Sequence, residues 1–183
     1  RDQLVVLSDP TMTPVVEAEA RRIGARPLRA GRDFHWESQG SRWRYVSPAR
    51  VLDSLPLPAL PGEVQLANAA ASITTLLGLG VPLDAAAIGK ALQRLQLPGR
   101  FQVVPGPVEW ILDVAHNEPA AAVLAANLRA RPCTGRTIAV AGILGDKDVD
   151  AIARQLDAAV DEWILCGIDA PRGLDAPVLR ARS

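Results

Sequence analysis

The 183 residues are 49% hydrophobic and 22% charged, and no run approaches the ~20 apolar residues that cross a bilayer, so a soluble globular chain of one domain or two small ones is expected. Twenty basic residues balance twenty acidic ones, which gives no reason to expect a nucleic-acid or membrane surface. Cys133 and Cys166 lack zinc-type spacing, and with two His in all a closed zinc site is disfavoured against free thiols in a reducing cytosol.

The chain opens on Arg1 with no signal-peptide pattern, and we expect it to be a piece of something longer. Leu4 to Leu7 read as a buried strand. Thr13 is placed to cap a helix whose first position is Pro14, where a missing N–H sacrifices no intrahelical bond. Val16, Ala20 and Ile23 give that helix its apolar face, and Gly24 suits a left-handed C-terminal cap. Arg26 to Arg29 suggest a short strand. Phe34 and Trp36, then Trp43 and Tyr45, alternate on either side of Ser38-Gln39-Gly40-Ser41, the pattern of a hairpin, with His35 on the opposite, solvated face.

Pro56, Pro58 and Pro61 mark a stiff, irregular connection. Beyond it Leu66, Ala70, Ile73 and Leu77 fall at helical spacing and define a core face. Asn68 lies about 200° round from Leu66, in what we take as the first turn, where its amide can donate and accept toward a ligand. Ser72 and Thr75 read as a water-facing edge. Asp84 is placed to cap a further helix with Ile88, Leu92 and Leu95 buried, and Leu97-Pro98-Gly99 ends it.

The stretch from Leu97 to Ala122 carries most of the chemistry. Pro98 fixes its own φ and Gly99 permits angles that other residues avoid, so this pair reads as a hinge. Val108 to Leu112 form a short strand, and Asp113, His116 and Asn117 follow it directly, before Glu118-Pro119 opens an alanine-rich helix. In open α/β sheets ligands bind beyond the carboxyl ends of strands. An Asp in such a place is also often a turn former or cap, and a lone His is often structural. The concentration of Arg100, Asp113, His116 and Asn117 around one hinge favours a site.

Thr137 to Ala141 and Glu162 to Cys166 read as further strands, with a helix around Ile152 and Leu156 between them. Strand–helix–strand–helix–strand with short links predicts a parallel sheet with right-handed crossovers, a Rossmann-like domain without the GxGxxG turn of dinucleotide binding. Asp175 is placed to cap one more helix, cut off at Ser183, so the domain is expected to be incomplete.

Pro98-Gly99-Arg100-Phe101-Gln102, a strand, and Asp113-x-Ala115-His116-Asn117 resemble the signature of folylpolyglutamate synthases and dihydrofolate synthases within the Mur ligase family. There Pro follows Asn directly; here Glu118 intervenes, which can move the helix start by one residue. Gln65-Leu66-Ala67-Asn68-Ala69 is similar to a family helix start whose Asn contributes to ATP binding. The resemblance covers nearly the whole chain. It implies an α/β protein: the end of a central ATPase domain over residues 1–97, then a truncated, mainly parallel glutamate-ligase domain over 98–183.

The activity it implies is ATP-dependent addition of L-glutamate to dihydropteroate or to the glutamate tail of folates, through an acyl phosphate, in the cytoplasm and as a monomer. Asn68, Arg100 and Asp113 would face the ATP and His116 the glutamate side. The phosphate loop and Mg²⁺ ligands would lie upstream, because no GxxxxGK[ST] occurs here, and this chain alone is expected to be inactive. Lys147 in the Gly145-Asp146-Lys147-Asp148 turn reads as solvated from the residues alone; the resemblance turns it toward the interdomain cleft. A non-catalytic nucleotide-binding module stays open as an alternative. A hydrolase ranks last, for want of a Ser or Cys in a nucleophile-elbow setting.

Overall fold

The computed structural model describes residues 2–11, 14–131 and 133–181; the expected Thr13 cap lies outside them. The chain folds as two compact units, Arg1–Gln96 and Leu97–Ser183. In the first, β1 (Leu4–Leu7) and β2 (Arg26–Arg29) pair in parallel across α1 (Pro14–Arg22), with Gly24 at φ 75° just past the helix end.

Next comes an antiparallel sheet of β3 (His35–Gln39), β4 (Arg42–Val46) and β5 (Val51–Pro56) in that order. Gly40 supplies the positive φ, 71°, that a two-residue hairpin turn needs at its first central position. The third strand is not expected from the sequence; the irregular proline-marked connection follows it, with no strand or helix over residues 57–63. At the centre of β5 Asp53 and Ser54 stand opposite the single residue Arg44, a bulge that leaves Trp43 facing Leu55 and Tyr45 facing Leu52. Leu52 and Leu55, three apart, therefore both reach the core, and the period of two that would announce a strand is lost.

Helices α2 (Val64–Gly78) and α3 (Ala85–Arg94) complete this unit. Leu66, Ala70 and Ile73 pack with Phe34, Trp43, Tyr45, Leu52 and Leu55 in one core. Trp43 and Tyr45 are fully buried, and both polar tips have partners, as burial demands. The Trp43 indole donates to the Pro56 carbonyl at 3.0 Å, and the Tyr45 hydroxyl lies 2.9 Å from that of Thr74. Thr74 also donates to the Ala70 carbonyl, which leaves Tyr45 as the donor of the pair. Asp84 caps α3 by accepting from the Ala87 N–H at 2.9 Å. The helix ends at Arg94, so Leu95 falls outside it and stays 38% exposed.

The second unit begins with β6 (Gln102–Val104) and β7 (Trp110–Leu112), an antiparallel pair. The strand expected before Asp113 is present, but it pairs with β6, a strand not expected from the sequence, and among the described residues it is not hydrogen-bonded to the parallel pair further along the chain. The five residues Pro105–Glu109 between them suit a hairpin and are far too few for a parallel crossover. Then come α4 (Glu118–Ala130), β8 (Ile138–Ala141), α5 (Val149–Leu156), a 3₁₀ turn at Asp157–Ala159, β9 (Glu162–Leu165) and α6 (Ala176–Arg180). Strands β8 and β9 do pair in parallel, from Ile138 opposite Glu162 to Ala141 opposite Leu165. Ala121, Ala125, Ile152 and Leu156 form the core between α4 and α5, with Trp163 of β9 packed against it. Asp175 stands at the N-cap of α6 but its side chain makes no capping bond.

Candidate functional site

The residues from Leu97 to Asn117 form one hydrogen-bonded knot. Gly99 has φ 68°, and a Cβ there would lie 2.8 Å from the Val114 side chain, so glycine is required for both conformation and space. Its carbonyl accepts from the Val114 N–H at 2.9 Å, and its own N–H donates to Gln102 Oε1 at 3.1 Å. Both backbone groups of Gly99 are thus committed to partners inside the second unit.

Phe101 is buried with φ 45°, a left-handed conformation that costs an aromatic residue on the order of 1–3 kcal/mol. Asp113 offsets that cost. Its Oδ2 accepts from the Phe101 N–H and its Oδ1 from the Ala115 N–H, each at 2.8 Å. One carboxylate thus locks the turn ahead of β6 to the loop after β7. An ionised carboxylate has about four lone-pair sites, so two remain for a ligand.

Arg100 sits between these two clamped residues. Its N–H donates to the Leu97 carbonyl at 3.1 Å. Its side chain is exposed, and its guanidinium has no hydrogen bond or ion pair among the described residues. An unpaired guanidinium held out by a fixed turn is suited to an anionic group such as a phosphate.

His116 is exposed, with Nδ1 2.9 Å from the Val114 carbonyl. A carbonyl only accepts, so Nδ1 carries the proton and Nε2 is left outward as an acceptor in the neutral ring. Asn117 caps α4, its Oδ1 accepting from the Ala120 N–H at 2.9 Å. The helix starts at Glu118 immediately after it. The extra residue moves Pro119 to the second helical position, where an N–H would have no intrahelical partner in any case.

Arg100, Asp113, His116 and Asn117 are thus gathered in one unit around one knot. Asn68 belongs to the other unit. Because α2 begins at Val64, Asn68 stands at the fifth helical position and not in the first turn; its exposed amide donates to Gln65 Oε1 at 3.2 Å. Lys147 pairs with Asp146 at 3.1 Å, and Arg172 reaches the same carboxylate oxygen at 3.1 Å. The Lys147 ammonium is the first cause holding the Asp146 carboxyl below its ordinary range. Gln102 went unassigned in the sequence although it stands three residues after Gly99, near enough to fold back on it.

Residues 99–183 match the family described as Mur ligase, glutamate ligase domain. The chain is similar to that family over those residues, and the knot just described lies at their N-terminal edge. The dihydrofolate synthase/folylpolyglutamate synthase of Escherichia coli (strain K12) is 33% identical over 174 residues, 95% of this chain and 40% of that protein. A structure of E. coli FolC in complex with DHPP and ADP superposes with a TM-score of 0.89 at 32% identity, over 100% of this chain and 43% of that one. A bifunctional folylpolyglutamate synthase/dihydrofolate synthase with Mn, AMPPNP and L-glutamate bound gives a TM-score of 0.87 at 36% identity, over 98% and 43%. The chain therefore spans about two fifths of the length of the relatives it matches.

Proposed function

We propose that this chain is part of an ATP-dependent amide ligase that adds L-glutamate to dihydropteroate, to the glutamate tail of folates, or to both. The observation that carries the reading is the likeness of the whole chain, not only of residues 99–183, to proteins named for that activity. Residues 1–97 are then the end of the central ATP-binding domain and residues 98–183 part of the glutamate-ligase domain.

In this reading ATP phosphorylates the acceptor carboxylate, and the amine of L-glutamate attacks the acyl phosphate and expels inorganic phosphate. Arg100 offers its free guanidinium to the nucleotide phosphates, a use of fixed charge at the place where charge develops. Asp113 accepts from the ribose hydroxyls with the lone pairs its backbone bonds leave open. Asn68 offers its exposed amide to ATP. His116 presents Nε2 to the glutamate, where it can orient the ammonium group or hold a proton as the amine becomes nucleophilic. Mg²⁺ accompanies the ATP and neutralises its phosphates. Among the described residues no group of three or more His, Cys, Asp or Glu side chains could hold a metal ion.

No helix among the described residues is long and apolar enough to cross a membrane; we place the ligase in the cytoplasm, acting as a monomer on small-molecule substrates. The test is product formation by the complete ligase, given ATP, Mg²⁺, L-glutamate and either dihydropteroate or a reduced folate. Glutamylated product with one ADP per amide is expected. ATP binding without product from either acceptor would instead favour a non-catalytic nucleotide-binding module.

A further inference from the structure

We propose that Gln102 is a positioning residue for Arg100, an inference that rests on the reading of Arg100 as a nucleotide contact. Three consecutive N–H groups flank the Arg100 side chain, and each has a different acceptor. That of Gly99 meets Gln102 Oε1 at 3.1 Å, that of Arg100 meets the Leu97 carbonyl at 3.1 Å, and that of Phe101 meets Asp113 Oδ2 at 2.8 Å. An N–H must face an oxygen, which fixes which end of the Gln102 amide points back to the turn.

The backbone of Gln102 is itself fixed, because it opens β6 opposite Leu112 of β7. Its side chain therefore carries the rigidity of the strand pair back across Arg100 to Gly99. Without that bond Gly99, the residue with the widest conformational freedom, would be held only through its carbonyl, by the Val114 N–H. Arg100, with no side-chain partner of its own among the described residues, depends on this backbone for its direction. Holding a charged group in place before the ligand arrives saves the ordering cost at binding.

The test uses the complete ligase and two variants at one position. Gln102→Met keeps the length and removes the acceptor oxygen; Gln102→Glu keeps an acceptor. Gln102 is exposed, so water can replace the lost bond and thermal stability should hardly move. Gln102→Met should raise the KM for ATP about three- to tenfold, the range of one ordinary hydrogen bond, with kcat at saturating ATP little changed. Gln102→Glu should stay near the parent value, and adding Gln102→Met to Arg100→Ala should produce no further rise. If Arg100→Ala raises the KM while Gln102→Met does not, the positioning role falls and the Arg100 contact stands. An effect of Gln102→Met that persists undiminished in the Arg100→Ala background also overturns the role. If Arg100→Ala leaves the KM for ATP unchanged, the Arg100 reading fails and the role of Gln102 fails with it.

Discussion

The N–H of Phe101 donates to Asp113 Oδ2 across 2.8 Å, joining residues twelve apart in sequence and holding an aromatic residue at φ 45°. Asp113 is therefore structural before it meets any ligand, and the consequences of changing it are double. Asp113→Asn keeps one acceptor oxygen and turns an amide group toward one of the two N–H donors. Hydrogen bonds to charged groups contribute about 1.5–3 kcal/mol, so the variant should lose stability of that order in urea unfolding. Apparent ATP affinity should fall roughly 10- to 150-fold, by the same range for the ribose contact. The affinity loss should shrink with 2′,3′-dideoxy-ATP, which has no hydroxyls to offer. Equal losses for both nucleotides would assign Asp113 to the fold alone.

His116 is predicted to matter for glutamate and not for ATP. Its Nδ1–H is engaged by the Val114 carbonyl, which orients the ring and leaves Nε2 for the substrate. His116→Ala should impair glutamate use by roughly 10²-fold, the size of a positioned acid–base group, with the KM for ATP near its parent value. A rise confined to the ATP KM would move His116 to the nucleotide.

Gly99→Val is predicted to destabilise the second unit. The backbone at φ 68° is strained for any β-branched residue, at about 1–3 kcal/mol. The new Cβ would also press on Val114 from 2.8 Å, an overpacking cost of about 1–3 kcal/mol. Denaturant unfolding should show a loss within the sum of these ranges. A variant as stable as the parent would show that Val114 and the turn move apart freely.

Stability should also depend on acid through Glu17, which is buried among Arg21, Arg29 and Arg32. The hydrogen bond from Arg32 is the first cause lowering its pKa, and the charges of Arg21 and Arg29 add to it. Asp33 is lowered in the same way, again by Arg32 first. A carboxyl whose folded pKa lies below its unfolded value stabilises the fold fully above the unfolded pKa, near 4.5 for Glu17. That contribution is lost as the pH falls through the folded value. Melting temperature should therefore drop on acidification below about pH 4.5, and Glu17→Gln should flatten the part of that drop due to Glu17. An identical pH profile in the variant would remove Glu17 from the account.

Local rules exposed much of this architecture in the sequence. The Asp84 cap, the hairpin that sets Trp36 against Tyr45, and the strand expected over Thr137 to Ala141 and found at Ile138–Ala141 each rest on short-range patterns. What stayed hidden is long-range. The bulge at Asp53–Ser54 erased the alternation of β5. The partner of Trp110–Leu112 is set by a short link back to Gln102–Val104, which strand propensity alone does not encode. Arg100, Asp113 and His116 could be singled out from their types and spacing, but the clamp of Asp113 on Phe101 and of Gln102 on Gly99 appears only once the chain has folded back on itself.

Ligation through an acyl phosphate carries one oxygen of the acceptor carboxylate into inorganic phosphate, and following that oxygen tests the proposed activity most directly. The complete ligase would be given ATP, Mg²⁺, L-glutamate and dihydropteroate or a folate labelled with heavy oxygen in the reacting carboxylate. Each amide formed should yield one ADP and one phosphate carrying a single labelled oxygen. Amide formed with unlabelled phosphate, or with AMP and pyrophosphate as the products, would contradict the account.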